Sequence, residues 1–218
     1  MRLIAFGDIH MDWANLARVP RIDKADLLLI SGDLTNFGDN REAATVLQAV
    51  GQVNSNFLAL AGNLDQPEVN GLLADHGIGL HGIGRRYQGL GLMGLGGSNP
   101  TPFHTPNELS ESELAALLAQ GYEQVRDCGS VILVSHTPPQ DTAADRLASG
   151  HHVGSSSVRD FIQSVKPALC VCGHIHEARA VDQLGPTCII NPGMLKDGGY
   201  IEITLTADGA VSAQLATL

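Results

Sequence analysis

The sequence lacks any apolar run long enough to cross a membrane. None reaches the roughly 18 residues of a membrane helix, and the stretch MRLIAFGDIH is too short, and interrupted too soon by Asp8, for a signal peptide. We therefore expect a cytoplasmic protein with no membrane partner. The 218 residues, 44% hydrophobic and 17% charged, can bury one full core, which predicts a single domain over residues 1–218.

Paired cysteine motifs and positive charge are scarce as well. The four cysteines show no CxxC spacing, which argues against a structural zinc site, and Cys170 and Cys172 are predicted to be core residues on one face of a strand. The formal net charge is −10, and no basic stripe or aromatic strip is present, which argues against a nucleic-acid partner. An anionic small substrate would need a local source of positive charge, and metal ions would provide one.

Short apolar runs alternate with helical patterns along most of the chain. The runs predict six β-strands: Leu3 to Phe6, Leu27 to Ile30, Phe57 to Ala61, Leu90 to Leu95, Val131 to Val134 and Leu169 to Cys172. Three helices are predicted. The first runs from Glu42 to Val53, the second begins after a capping box of Ser110 and Glu113, and the third runs from Ser155 or Ser156 to Val165. This alternation predicts an α/β fold with a central sheet between helices.

The C-terminal segment has a different pattern. It predicts three strands, Thr187 to Ile190, Tyr200 to Thr206 and Val211 to Leu215. Asp208-Gly209 between the last two is a strong hairpin signal. An antiparallel end after an alternating start predicts a mixed sheet or two sheets.

Polar residues follow five of the predicted strands. They are Asp8 and His10, Asp33, Asn63, His136, and His174 with His176. Ligands of open α/β sheets bind beyond the carboxyl ends of the strands. We therefore expect these two aspartates, one asparagine and four histidines to gather in one place.

This set of side chains is typical of a site for Mn, Fe, Zn or a similar divalent ion. Seven ligands are too many for one tetrahedral ion, and the carboxylates are too few for calcium. A dinuclear site fits best, because two ions about 3.5–4 Å apart need a bridging carboxylate. Asp33 is the obvious bridge.

The ordered series Gly7-Asp8-x-His10, Gly32-Asp33, Gly62-Asn63-x-Asp65, Ser135-His136 and Gly173-His174-x-His176 resembles the calcineurin-like metallophosphoesterase family. The resemblance spans residues 7–176. It implies a four-layer α/β sandwich of two mixed β-sheets flanked by helices. It also implies one ion held by Asp8, His10, Asp33 and His176, and a second held by Asp33, Asn63, His136 and His174.

The implied activity is a metal-dependent phosphoesterase that hydrolyses small phosphate esters by attack of a metal-bridging hydroxide. One position departs from the family pattern, since many members have a histidine where this chain has Leu64. That histidine is taken to stabilise the transition state or to protonate the leaving group. Asp65 is retained without this neighbour, and we expect phosphodiesters to be better substrates than phosphomonoesters.

Four further residues are candidates near the site. Asn99 and His104 lie in a Gly/Pro-rich segment directly after a strand and would contact substrate there, although a plain surface loop is the alternative. His151 and His152 precede a predicted helix start that would present N–H groups and an imidazole to a phosphate, and an N-capping serine with exposed histidines is the alternative. Together with Asp65, the residues His104, His151 and His152 are the candidates for catalytic support. Asn63 and Asn99 are the candidates for substrate binding.

Two other function classes compete with the phosphoesterase. A non-catalytic protein-binding scaffold of the same fold would be free to lose ligands, whereas this chain retains all seven. A nuclease is disfavoured by the acidic charge balance. The ligand types admit Mn, Fe, Ni or Zn, because availability and geometry also decide which ion binds.

Overall fold

The computed structural model describes residues 1–206 and 208–218. Within them, the strands are β1 (Arg2–Phe6), β2 (Leu27–Ile30), β3 (Phe57–Ala59), β4 (Gly84–Tyr87), β5 (Leu90–Leu95), β6 (Ser130–Ser135), β7 (Leu169–Val171), β8 (Ala180–Leu184), β9 (Thr187–Asn191), β10 (Gly199–Leu205) and β11 (Val211–Thr217). The α-helices are α1 (Asn40–Val53), α2 (Glu68–Asp75), α3 (Glu111–Glu123) and α4 (Ser156–Val165).

The strands form two mixed sheets. One has the order β11-β10-β1-β2-β3, in which β1, β2 and β3 are parallel and β10 and β11 are antiparallel to their neighbours. The other has the order β4-β5-β6-β7-β9-β8, with four parallel central strands and an antiparallel strand at each edge. Two mixed sheets flanked by helices confirm the predicted architecture.

The two sheets share a core between them. Successive side chains of a strand point to opposite faces, so Leu3 and Leu29 of the first sheet pack with Ile132 and Val134 of the second. All four side chains are fully or almost fully buried. This inner core holds the two sheets together, and with them the loops at their carboxyl ends.

Two outer cores bind the helices to the sheets. Ile30 of β2 packs with Val46 of α1 on the outer face of the first sheet. Leu133 of β6 packs with Leu118 of α3 and Ile162 of α4 on the outer face of the second. The order of layers is therefore helix, sheet, sheet, helix.

Helices α1, α3 and α4 begin where capping side chains satisfy their first N–H groups, whereas α2, which follows Pro67, has no side-chain cap. Asp39 accepts hydrogen bonds from the N–H groups of Arg41 and Glu42, which starts α1 at Asn40, two residues before the predicted start. The predicted capping box of Ser110 and Glu113 opens α3.

Two edge strands and one helix were not predicted. β4 and β8 each pair with a single neighbour, and their sequences, GRRY and AVDQL, contain no uninterrupted apolar run. The eight residues of α2 are too few to give a helical pattern. The predicted hairpin is confirmed, since β10 and β11 pair antiparallel and the Thr206 N–H donates to the Ala210 carbonyl (3.0 Å). In the described residues, no helix has the length and apolarity to cross a membrane.

Candidate metal centre

The candidate site is built from loops at the carboxyl ends of β1, β2, β3, β6 and β7. Four of the seven predicted metal donors have left-handed backbone conformations, with φ of 49° at Asp8, 50° at His10, 46° at Asp33 and 67° at His174. Such conformations are unfavourable for residues other than glycine by roughly 1–2 kcal/mol each. They persist here because the loops are bonded to one another, and strain of this kind clusters at functional sites.

Hydrogen bonds between loops hold these conformations. The Asp8 N–H donates to the Gly32 carbonyl (3.0 Å), and the His10 N–H donates to the Asp33 carbonyl (3.0 Å). The Gly173 N–H donates to the His136 carbonyl (3.1 Å). Neighbouring loops within each sheet are therefore fixed, and the His174 N–H, which donates to Asp8 Oδ1 (3.1 Å), links the loops of the two sheets.

Glycines allow the loops to approach each other this closely. A Cβ atom at Gly62 would collide with the carboxylate of Asp33, and one at Gly173 would collide with the carboxylate of Asp8. Gly62 and Gly173, which precede Asn63 and His174, thus leave room for the carboxylate of another loop.

A first cluster consists of Asp8, His10, Asp33 and His176. One ligand atom from each of the four lies within 4.8 Å of the others, which makes them a group able to hold a metal ion. His10 Nε2 lies 3.0 Å from His176 Nε2, and His176 Nε2 lies 3.2 Å from Asp8 Oδ1. Asn36 Oδ1 lies 3.0 Å from His10 Nδ1. Because an amide oxygen can only accept, Nδ1 carries the proton and Nε2 turns its lone pair toward the cluster.

A second cluster consists of Asn63, His136 and His174 beside Asp33. The Nδ1 atom of His136 donates to the carbonyl of Ser31 (2.9 Å), and the Nδ2 atom of Asn63 donates to Thr105 Oγ1 (3.0 Å). These bonds turn His136 Nε2 and Asn63 Oδ1 toward each other at 2.9 Å. The imidazole rings of His136 and His174 lie with their centroids 5.1 Å apart.

Asp33 lies between the two clusters. Its Oδ2 atom lies 3.7 Å from His10 Nε2, and its Oδ1 atom lies 3.5 Å from His136 Nε2. Oδ1 also accepts a hydrogen bond from the N–H of Leu64 (2.9 Å). Each oxygen of one buried carboxylate therefore faces a different cluster.

The electrostatics of the site favour positive charge beside Asp33. Burial opposes its ionisation, but His136 and His10 outweigh burial and lower the pKa of Asp33 to about 2. Burial also disfavours a charged His136, but Asp33 and Asp8 outweigh it and raise the pKa of His136 to about 9. Burial and the neighbouring His136 lower the pKa of His174 to about 4, which keeps its lone pair free.

The donor set fits divalent ions. It combines carboxylate oxygens, an amide oxygen and imidazole nitrogens, which are the ligands of Mn, Fe, Ni and Zn in proteins. The family model for calcineurin-like phosphoesterases matches residues 1–178.

The chain belongs to the calcineurin-like phosphoesterase family.

The phosphoesterase chain resembles other proteins over most of its length. It is 35% identical over 196 residues, 88% of each chain, to an uncharacterised protein of Methanocaldococcus jannaschii. Its fold is similar to that of the protein TT1561 from Thermus thermophilus, with a TM-score of 0.72 at 16% identity over 99% of this chain and 98% of the other. It is also similar to a putative 5'-nucleotidase from Staphylococcus aureus, with a TM-score of 0.63 at 14% identity over 99% of this chain and 54% of the other.

Asp65 lies beneath the site of this phosphoesterase. It is fully buried, and its carboxylate accepts hydrogen bonds from the N–H groups of Leu34 (3.1 Å), Thr35 (2.8 Å) and Gly62 (2.8 Å) and from the Thr35 hydroxyl (2.7 Å). Burial and the neighbouring Asp33 raise the pKa of Asp65 to about 6. Its contacts tie the loop after β3 to the loop after β2, and so they position Asp33.

A cavity of about 610 Å³ opens beside the two clusters. Asn63, His174, Asn99 and His152 are among the residues that line it. Both ends of the Asn99 amide are engaged, because Nδ2 donates to the Val153 carbonyl (3.1 Å) and Oδ1 accepts from the Thr137 hydroxyl (2.7 Å). Asn99 thus holds the wall of the cavity together.

The three candidate histidines outside the clusters have different positions. His104 and His151 are exposed and do not line the cavity, and His151 Nδ1 lies 3.2 Å from Ser149 Oγ. His152 does line it, and its Nδ1 atom lies 2.6 Å from the buried carboxylate of Asp145.

At the start of α4 the structure shows the alternative, a serine-capped helix, in place of a phosphate site. The N–H groups of Ser156 and Ser157 donate to the carboxylate of Glu111 (3.2 and 2.9 Å), and the N–H group of Val158 donates to Ser155 Oγ (3.2 Å). Burial opposes ionisation of Glu111, but hydrogen bonds from Ser155 and Ser157 lower its pKa. A carboxylate therefore already occupies the anion site that this helix start would offer.

Sequence reasoning missed the partners that orient the site residues. Asn36, Thr105 and Asp145 are polar residues in loops, and no motif distinguishes them from other loop residues. The partner of His136 is a backbone carbonyl, that of Ser31, which leaves no signal in the sequence.

Proposed function

We propose that this chain is a dinuclear metal-dependent phosphoesterase that hydrolyses small phosphodiesters. One ion would be held by Asp8, His10, Asp33 and His176, and the other by Asp33, Asn63, His136 and His174. The observation that carries the proposal is the position of Asp33, whose two oxygens face the two clusters separately. A shared carboxylate of this kind is what keeps two cations close together.

Bound divalent ions would neutralise charge on the phosphoryl group and make a water a stronger nucleophile at neutral pH. The chain's own part is to hold the donors in place. Asn36 fixes the tautomer of His10, the Ser31 carbonyl fixes that of His136, and Thr105 fixes the orientation of the Asn63 amide. Partners of this type usually change metal affinity or activity about 10–100-fold when removed.

The preference for diesters rests on Leu64. A phosphomonoester carries one more negative charge on the transferred group than a diester, and the histidine found here in many relatives would donate to that charge. Leu64 has no donor in its side chain, and its N–H group is engaged with Asp33. A diester, with its lower charge, depends less on the missing donor.

The protein-binding scaffold is the second candidate. A scaffold needs the fold but not the metal donors, so loss of any donor would cost it nothing. Here all seven side chains are retained, and the donors of both clusters are oriented by further hydrogen bonds. This arrangement favours the enzyme.

The experiment that tests the proposed function compares two esters with the same leaving group. The protein is loaded in turn with Mn, Fe, Ni and Zn, and hydrolysis of bis(p-nitrophenyl) phosphate and of p-nitrophenyl phosphate is measured. We expect turnover with at least one metal and a higher kcat/KM for the diester. Absence of turnover with every metal, at full occupancy of two ions per chain, would support the scaffold instead, and a preference for the monoester would refute the diester assignment.

A further inference from the structure

The loop between β6 and α4 carries an imidazole to the wall of the cavity. Residues 145–153 fold back on themselves, because the Leu147 N–H donates to the His151 carbonyl (2.9 Å) and the Val153 N–H donates to the Asp145 carbonyl (3.2 Å). His152 pairs with Arg146 across this turn. Its side chain is 30% exposed and lines the cavity that also contacts Asn63 and His174.

Asp145 fixes the orientation of this imidazole. Its carboxylate is fully buried and accepts hydrogen bonds from the N–H groups of Asp141 (3.1 Å), Thr142 (2.9 Å) and Gly154 (2.9 Å). One of its oxygens lies 2.6 Å from His152 Nδ1. Since a carboxylate held by three N–H groups cannot rotate freely, the ring is anchored by Nδ1, and Nε2 is the nitrogen left to act on a ligand.

The neighbouring wall of the cavity suits an organic ester group. Pro100, Pro102, Phe103, Leu147 and Ile175 line it, and Phe103 is 82% exposed. Cavities that combine apolar walls with a few oriented polar groups are typical of small-molecule sites. A phosphate held at Asn63 and His174 would extend its ester substituent along this wall, past His152.

We propose that His152, positioned by Asp145, is the proton donor to the leaving group of the phosphoesterase reaction. The inference rests on the proposed function. The proton donor is then an imidazole that Asp145 already orients, in a chain where the side chain of Leu64 cannot donate a proton.

The reaction exchanges one bond at phosphorus and moves one proton from His152 to the leaving group. A water molecule releases one proton to solvent as its oxygen forms a bond to phosphorus, and the bond between phosphorus and the ester oxygen breaks. The electron pair of that bond goes to the leaving oxygen, which takes the proton from His152 Nε2 and departs as an alcohol or phenol. His152 keeps its Nδ1 proton on Asp145 and regains the Nε2 proton from solvent.

The experiment uses two diesters that differ in the leaving group alone, methyl p-nitrophenyl phosphate and methyl phenyl phosphate. The metal-loaded wild type is compared with His152→Gln, and with His151→Gln as the matched control. General acid catalysis typically contributes about 10²–10⁴-fold, so we expect a loss of this size in kcat/KM for His152→Gln on the phenyl ester. The p-nitrophenyl ester releases a stable anion that needs no proton, so its hydrolysis should change little. His151→Gln should behave as wild type with both esters.

Asp145→Asn provides a second variant. It keeps the shape of the side chain but weakens its hold on Nδ1, so it should lose activity selectively on the phenyl ester while still hydrolysing the p-nitrophenyl ester. Damage to the fold would instead lower activity on both esters by the same factor. Equal losses on both esters in His152→Gln, or none, would overturn the proton-donor role while leaving the proposed function intact. Failure of the metal-loaded wild type to hydrolyse either ester would overturn the proposed function and this inference with it.

Discussion

His136 Nε2 and Asn63 Oδ1 lie 2.9 Å apart, and neither atom carries a proton when His136 donates its Nδ1 proton to the Ser31 carbonyl. Two acceptors this close repel each other unless a cation lies beside them. A proton on Nε2 relieves the repulsion, which agrees with the raised pKa of His136, and a divalent ion would relieve it in the same way. The contact therefore marks a position that the fold prepares for positive charge.

Replacement of Asp33 should affect both ions. Asp33→Ala removes the one carboxylate that faces both clusters, so metal content and diester turnover should fall together, whereas His10→Ala should be milder because it removes one donor of one ion. Metal analysis of the purified variants checks this. Asp12→Ala is the matched control, since this exposed aspartate lies outside the two clusters and its carboxylate accepts a hydrogen bond from the N–H of Ala14. Full occupancy and near-normal turnover in Asp33→Ala would remove Asp33 as the bridge.

Loss of Asn36 should weaken metal binding without removing a donor. Asn36→Ala frees His10 to rotate and to change tautomer, so affinity for Mn²⁺ should fall about 10–100-fold. A competition titration against a chelator measures the change. The exposed Asn56, which contacts Asp26 and Tyr87 instead, provides the control Asn56→Ala. An unchanged affinity in Asn36→Ala would show that His10 does not need this partner.

Introduction of a histidine at Leu64 should shift substrate preference. In Leu64→His, hydrolysis of p-nitrophenyl phosphate should rise relative to bis(p-nitrophenyl) phosphate, since an imidazole beside the site could donate to the extra charge of the monoester. The measurement is the ratio of the two kcat/KM values at saturating metal. Leu64→Met, which adds no donor, is the control. A ratio that stays constant at full metal occupancy would show that Leu64 does not set the preference.

Glu108 should stabilise the loop that carries Thr105 in a pH-dependent way. Burial opposes its ionisation, but hydrogen bonds from Thr101 and Thr105 lower the pKa of Glu108 from its usual 4.5 to about 2. Because the folded-state pKa is the lower one, this stabilisation is present above pH 4.5 and is lost as the pH falls toward 2. The difference in thermal midpoint between wild type and Glu108→Gln should therefore shrink over this range. Glu123→Gln, on the exposed end of α3, should show no comparable trend.

The sequence predicted which side chains come together at the site better than it predicted the residues that support them. Asp8, Asp33 and His136 each follow a short apolar run, so the strand pattern and the rule for strand ends together bring them to one edge. The tautomer of His136 is set by a backbone carbonyl, and that of His10 by Asn36, which lies 26 residues away. Contacts of this kind arise only once the loops have their folded positions.

The elements of the fold also differ in how well the sequence predicts them. The buried parallel strands were predicted because their apolar runs are short and uninterrupted, whereas the edge strands β4 and β8 have no such pattern. The start of α4 shows the limit most clearly. Its sequence allows either a free anion site or a serine cap, and only the structure shows the cap together with Glu111, 45 residues before Ser156, on the N–H groups of Ser156 and Ser157.

The central claim, that two ions at these clusters form a hydrolytic centre, is tested most directly by titrating the metal-free protein with Mn²⁺. Bound metal per chain and the rate of bis(p-nitrophenyl) phosphate hydrolysis are measured at each addition. The account predicts that the chain binds two ions and that the rate rises with the second. Hydrolysis already complete with one ion, or none with two ions bound, would contradict it.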